Sequence, residues 1–127
     1  MAAVASVNLS LSVSGLTSQT INSSIAFNAT TPDAVAHTYK KIAVSDTEEA
    51  VELGDVSVVQ GVLIHCVAAG DSTAGIYIDT DFDTTFNASQ SLTEGKSAYF
   101  KPAGVLMVKN ITTVQRPTYE VIVFGTR

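Results

Sequence analysis

The densest set of chemically useful side chains is the run Asp79, Asp81 and Asp83, with Asp71 close upstream. Alternate carboxylates in a loop can converge on a hard cation such as calcium. An EF-hand loop opening at Asp79 needs Gly at position 84 and Glu at position 90, and the chain has Thr84 and Gln90 there. The expectation is therefore a polar, solvated hairpin tip, with no metal site assigned.

His65 and Cys66 are the next candidates. Adjacent residues of a strand point to opposite faces, so these two cannot act as a base and nucleophile pair. His37 is the only other histidine, and two histidines so far apart in sequence supply a cupin-type metal site poorly. A core thiol and a hydrogen-bonded imidazole are expected. Cys66 is the single cysteine, which rules out an intrachain disulfide, a Cys-based zinc cage and a CxxC redox pair.

No serine occupies a Gly-x-Ser-x-Gly elbow, and no Gly-rich phosphate loop precedes a helix, so hydrolase and nucleotide readings are weak. Asn8, Asn22, Asn28, Asn87 and Asn110 each head an Asn-x-Ser/Thr triplet. These triplets matter only in a eukaryotic secreted protein, and chance accounts for them in a chain so rich in Ser and Thr. Tyr77 and Tyr99 are candidate aromatic contacts for a glycan or a protein, although cross-strand packing is the commoner use of such residues. No catalytic, cofactor-binding or metal residues are assigned.

The elements that would position these side chains are strands. Five apolar segments, Gly61 to Val67, Gly75 to Asp79, Ser97 to Lys101, Val105 to Asn110 and Tyr119 to Phe124, are strand-length and rich in Val, Ile, Tyr and Phe. Gly54-Asp55, Gly70-Asp71, Glu94-Gly95, Pro102 to Gly104 and Arg116-Pro117 supply the turns around them. The segments at 61–67 and 119–124 are apolar on both faces. That marks them as central antiparallel strands, covered by a second sheet on one side and by a loop, arm or partner subunit on the other.

The N-terminal half is less regular. Val7, Leu9, Leu11 and Val13 alternate with Asn8, Ser10 and Ser12, which places the apolar set on one face of a strand ended by Gly15. Ile21, Ile25 and Phe27 form a weaker second alternation. Thr31-Pro32-Asp33 fits either a helical turn or a plain Pro-Asp turn. A strand is favoured over a helix for Tyr39 to Val44. From Asp46 to Leu53 a helical turn opening at Asp46 and a strand through Val51 and Leu53 are both compatible with the residues.

A chain of 127 residues with 46% hydrophobic and 15% charged side chains fits one domain around one core. A net charge of −5 with only 7 Lys and Arg, none clustered beyond Lys40-Lys41, disfavours nucleic acid as a partner. Met1 to Gly15 lacks the basic start and continuous apolar stretch of a signal peptide. The longest apolar run, Val62 to Ala69, is interrupted by His65 and is too short to span a bilayer as a helix. A soluble chain with no membrane partner is expected, and its partners are expected to be proteins.

The order of segments carries a resemblance. Val51-Glu52-Leu53-Gly54-Asp55-Val56, Gly61-Val62-Leu63-Ile64, Gly75-Ile76-Tyr77-Ile78-Asp79, Leu92-Thr93-Glu94-Gly95 and Tyr119-Glu120-Val121-Ile122-Val123, in this order and spacing, resemble small virion structural proteins of tailed bacteriophages. The likeness spans roughly Thr38 to Phe124, and His65-Cys66 departs from it where relatives usually turn polar.

The resemblance implies an all-β fold, an antiparallel β-sandwich of jelly-roll-like type forming a single domain over residues 1–127. Residues 1–15 are either an N-terminal arm or the first strand. It further implies a non-enzymatic, cofactor-free decoration or cement protein on the outer surface of the head. Such a protein bridges major capsid protein subunits and associates with itself as a dimer or trimer. A tail component is the nearest alternative. A carbohydrate-binding sandwich using Tyr77, Tyr99 and the Asp79 to Asp83 loop is the alternative of a different class. Val7, Leu9, Leu11 and Val13 are the candidate partner-contact residues, because a strand with a free edge offers its backbone to a neighbouring sheet.

Overall fold

The computed structural model describes residues 4–15, 21–30, 32–43 and 47–127. All regular structure among them is β. The strands are β1 (Val4–Val13), β2 (Ile21–Thr30), β3 (Ala34–Lys41), β4 (Glu49–Ala50), β5 (Val58–Ala68), β6 (Gly75–Phe82), β7 (Gln90–Thr93), β8 (Ser97–Phe100), β9 (Val105–Asn110) and β10 (Thr118–Thr126).

Eight of these strands form an antiparallel β-sandwich. One sheet has the order β3-β10-β5-β8 and the other β4-β9-β6-β7. The pairs β3 with β10, β4 with β9, β5 with β8 and β6 with β7 are nested, so the chain runs out to the β6–β7 hairpin and returns beside itself. The β10–β5 and β6–β9 pairings then close each sheet across the nest. β5 and β10 are the two central strands of their sheet, the placement that their apolarity on both faces requires.

The core lies between the sheets. Val62, Ile64 and Cys66 of β5 and Tyr119, Val121 and Val123 of β10 belong to one buried cluster with Ile76 and Ile78 of β6, Leu92 of β7 and Leu106 and Val108 of β9. Each inward set keeps the period of two that a pleated strand imposes. Burying this much branched apolar surface is the main source of stability, at about 1.5–3 kcal/mol for each fully buried side chain.

Several boundaries differ from the sequence expectation. β3 runs from Ala34 to Lys41 rather than from Tyr39, because β10 supplies a continuous partner from Gly125↔Ala34 to Thr118↔Lys41. Val44 and Asp46 lie outside the described residues, as does Thr31. Pro32 and Asp33 form no helix. The Asp33 N–H donates to the Gly125 carbonyl, and the Asp33 carboxylate accepts from the Arg127 N–H, which pins the entry to β3. The 46–53 stretch holds neither a described helical turn nor a long strand. It contains only the two-residue β4, after which Val51 and Leu53 reach the core from irregular backbone. β7 is a short strand that the sequence reading did not single out. Gly95 at φ +83° turns it into β8, a left-handed conformation that suits glycine.

β1 and β2 belong to neither face of the sandwich. Among the described residues they pair only with each other, in register from Val4↔Thr30 to Val13↔Ile21, as a separate two-stranded ribbon. Asp33, at the start of the body, follows β2 by three residues.

Candidate contact surface

The outer face of the β3-β10-β5-β8 sheet is assembled from residues far apart in sequence. Register places His37, Ile122, Leu63 and Tyr99 in one rank across the four strands. The next rank is Tyr39, Glu120, His65 and Ser97. On the other side of the first rank lie Val35, Phe124 and Gly61.

The apolar rank meets the ribbon. Ala5 to Leu9 of β1 face Leu63, Tyr99, Ile122 and Phe124 across a cleft of about 370 Å³. Phe124 is only 8% exposed, although its strand position points it away from the core, while Leu63 remains 44% exposed. Gly61 leaves room for the Phe124 and Tyr99 side chains, which would have to shift for a larger residue. A Cβ there would sit 2.5 Å from the Phe124 ring and 2.6 Å from the Tyr99 hydroxyl.

The polar rank holds two separate hydrogen-bonded groups, one around Glu120 and one at His65 and Ser97. The His37 imidazole lies 2.7 Å from the Glu120 carboxylate, and the Tyr39 hydroxyl donates to the same carboxylate. Glu120 is accordingly held below the ordinary glutamate range, first by the His37 bond and then by the Tyr39 bond. The same bond raises the Tyr39 phenol, because losing its proton would remove the donor beside an anion. His65 shares a hydrogen bond with Ser97, and its position next to Glu120 adds a weaker electrostatic pull on that carboxylate.

Serine, histidine and glutamate side by side invite comparison with a hydrolytic triad. The wiring differs, since Glu120 is engaged by His37 and Tyr39. The surrounding main chain also lies in a sheet, where N–H groups are spent on the ladder instead of being gathered to hold an oxyanion. The row presents hydrogen-bonding side chains on the outer face of the sheet. Sequence reasoning missed it because its members are brought together only by register; the alternation of polar residues on apolar strands was the one signal available.

The other sequence candidates fall as follows. Asp79 is 4% exposed, and its two oxygens accept the N–H groups of Asp81, at 3.0 Å, and Asn87, at 2.8 Å. It ties down the loop that follows the irregular β6–β9 pairing, whereas Asp81 and Asp83 are exposed. Asp71 likewise accepts from Thr73 and Ala74, which keeps its carboxyl below the usual range. Tyr77 stands on β6, the strand that also carries Asp79 and Asp81, whereas Tyr99 stands on the outer face of the other sheet, so the two tyrosines and the Asp79 to Asp83 segment do not form one site. Cys66 faces the core opposite His65, and burial, with Glu94 adding to it, pushes its thiol up.

Of the candidate contact residues, Val7 is half-buried, while Leu9 and Leu11 are 44% and 59% exposed. The side chain of Val13 lies outside the described residues, as do those of Ile21, Ile25 and Phe27. Val7 and Leu9 line the cleft, and Leu11 extends beyond it.

No family model, curated protein or solved structure matches this chain.

Proposed function

We propose that this chain is a structural protein of a virion, acting by contact as a decoration or cement protein on the outer surface of a tailed-phage head. The observation that carries this reading is the β1–β2 ribbon. It stands outside both sheets and lies beside a partly exposed apolar rank of the central strands, so ribbon and rank form one continuous docking surface.

The nested strand order supports the same reading. On this reading the orders β3-β10-β5-β8 and β4-β9-β6-β7 are taken as a rolled-up hairpin of eight strands, compatible with the jelly-roll arrangement frequent in capsid proteins. The segment order that resembles small phage virion proteins points the same way. By this mechanism the protein bridges neighbouring major capsid subunits. Each added contact removes surface from water only in the assembled shell, so binding shifts the equilibrium toward intact particles.

Electron microscopy of particles made with and without this chain tests the proposal. Density of sandwich size on the head surface, together with release of the packaged genome at lower temperature when the chain is missing, is the expected result. Density confined to the tail would replace the head assignment with a tail component. Absence of the chain from intact particles would end the virion reading.

A further inference from the structure

One rank beyond Tyr39, Glu120 and His65, register sets Lys41 of β3 beside Thr118 of β10 and Ala68 of β5. The β5–β10 pairing skips Val67 at this point, and a bulge of that kind bends the strand and interrupts regular pairing. Past the bulge, Lys41 and the 68–70 and 114–118 stretches enclose a hollow of about 420 Å³. Lys41 and Arg116 both line it, and no Asp or Glu among the described residues does.

The walls are held in place without a ligand. The Arg116 Nε–H donates to the Ile42 carbonyl at 3.3 Å, and among the described residues no partner takes the terminal nitrogens of the guanidinium. The Ile42 N–H donates to the Pro117 carbonyl, and Asn110 joins the Ala43 and Gln115 carbonyls, so the β9–β10 connection stays against the end of β3. Gln115 also donates to Asp71, at 3.4 Å, which ties in the β5–β6 connection.

Carboxylates outnumber Lys and Arg by 12 to 7 in this chain, yet those on the adjoining segments are engaged elsewhere. Asp71 accepts from Thr73 and Ala74, Glu94 from the Ala69 N–H at 3.3 Å, and Glu120 from His37 and Tyr39. Neither Lys41 nor Arg116 is in a salt bridge among the described residues.

We propose that this hollow binds a carboxylate presented by an acidic segment of a partner protein. The Arg116 fork takes the carboxylate oxygens, and Lys41 adds its charge from the β3 side. Charge complementarity selects an anion, and the surroundings select a carboxylate over a phosphate. Asp71, Glu94 and Glu120 oppose a dianion more strongly than a monoanion. The Ala69 N–H, which could have joined a phosphate cradle, is given to Glu94. Ala68 and the exposed Val114 offer apolar walls to the methylenes of a glutamate side chain. The inference stands apart from the ribbon and from the virion reading, because it requires only a partner with an acidic segment.

Nuclear magnetic resonance titration of the full-length chain with the synthetic peptide acetyl-Gly-Glu-Glu-Gly-amide tests it. Saturable shifts are expected at the Gly70, Val114 and Thr118 amides and at the Arg116 Nε–H, and added salt should weaken them. Lys41→Gln and Arg116→Gln should each weaken binding about tenfold, the scale of one charge-assisted hydrogen bond. Arg116→Lys should restore only part of the loss, since an ammonium lacks the planar fork. Lys41 is exposed and has no partner among the described residues, so its variant should keep the native melting temperature. The same peptide with Gln in place of Glu should not bind, and inorganic phosphate should bind more weakly than the Glu peptide. A Glu peptide that gives no saturable shift, equal binding of the Gln peptide, tighter binding of phosphate, or undiminished binding by Lys41→Gln would each overturn the proposal. No virions enter these measurements, so their failure leaves the decoration reading standing, and absence of the chain from particles leaves the carboxylate site standing.

Discussion

The His37 imidazole and the Glu120 carboxylate, 83 positions apart in the chain, meet at 2.7 Å on the outer face of the β3–β10 pair. Together with the Tyr39 hydroxyl they give Glu120 a folded-state pKa below its unfolded value. The stabilisation this brings is present above the unfolded value of about 4.3 and is lost as pH falls through the lower folded value. The Glu120→Gln variant should therefore be less stable than the native chain near neutrality. The two should converge as the pH drops below about 4. Urea midpoints measured across that range check this, and two parallel curves would contradict it.

Tyr119 gives the opposite limb. It is 1% exposed in the core, and burial, reinforced by Glu49 and Glu52, pushes its phenol up to about 12. A raised folded pKa contributes stability that is complete below the unfolded value of about 10 and is lost as pH rises toward the folded one. In an ultraviolet titration of the four tyrosines, the Tyr119 phenolate should appear last, after the more modestly raised Tyr39 and Tyr99, and together with the loss of β circular dichroism. Smooth ionisation of all four near the free value, in a still-folded chain, would contradict the placement of Tyr119.

Gly61 is the position where the apolar rank allows no side chain. A methyl group there must displace the Phe124 ring, and Gly61→Ala should cost about 1–3 kcal/mol, as overpacking does elsewhere. Shrinking the ring in Gly61→Ala/Phe124→Leu should return part of that loss. Chemical denaturation of the two variants reads the difference, and an additive double variant would show that the two sites do not touch.

Asn110 is a buried amide that joins three pieces of main chain. Its Nδ2 donates to the carbonyls of Ala43, at 3.2 Å, and Gln115, at 2.7 Å, and its Oδ1 accepts the Thr112 N–H at 3.0 Å. Asn110→Leu fills the space but leaves those groups without partners, at a cost on the order of 3 kcal/mol. Hydrogen exchange at the Thr112 amide should speed up at the same time. Retained protection there would show that the amide is not the tie.

Much of the sandwich could be read from individual segments. β9 spans Val105–Asn110, the limits its composition marks, and the apolarity of β5 and β10 on both faces assigns them to the centre of a sheet. Thr31 to Leu53 resisted the same reading. Strand β3 is defined by the partner that β10 provides, and β4 is too short to show a period.

The sequence by itself determined which side chains share a face of each strand, because the period of two is a property of the local pleat. It thereby set Cys66 against His65, Val7 with Leu9, and the core positions of β5 and β10. Only the tertiary structure decided which faces meet. It lined up Tyr39, Glu120, His65 and Ser97 in one rank, put Tyr77 and Tyr99 on different sheets, and kept β1 and β2 out of both. Cross-strand register joins residues dozens of positions apart, and slipping it by a single residue would exchange every inward side chain for an outward one.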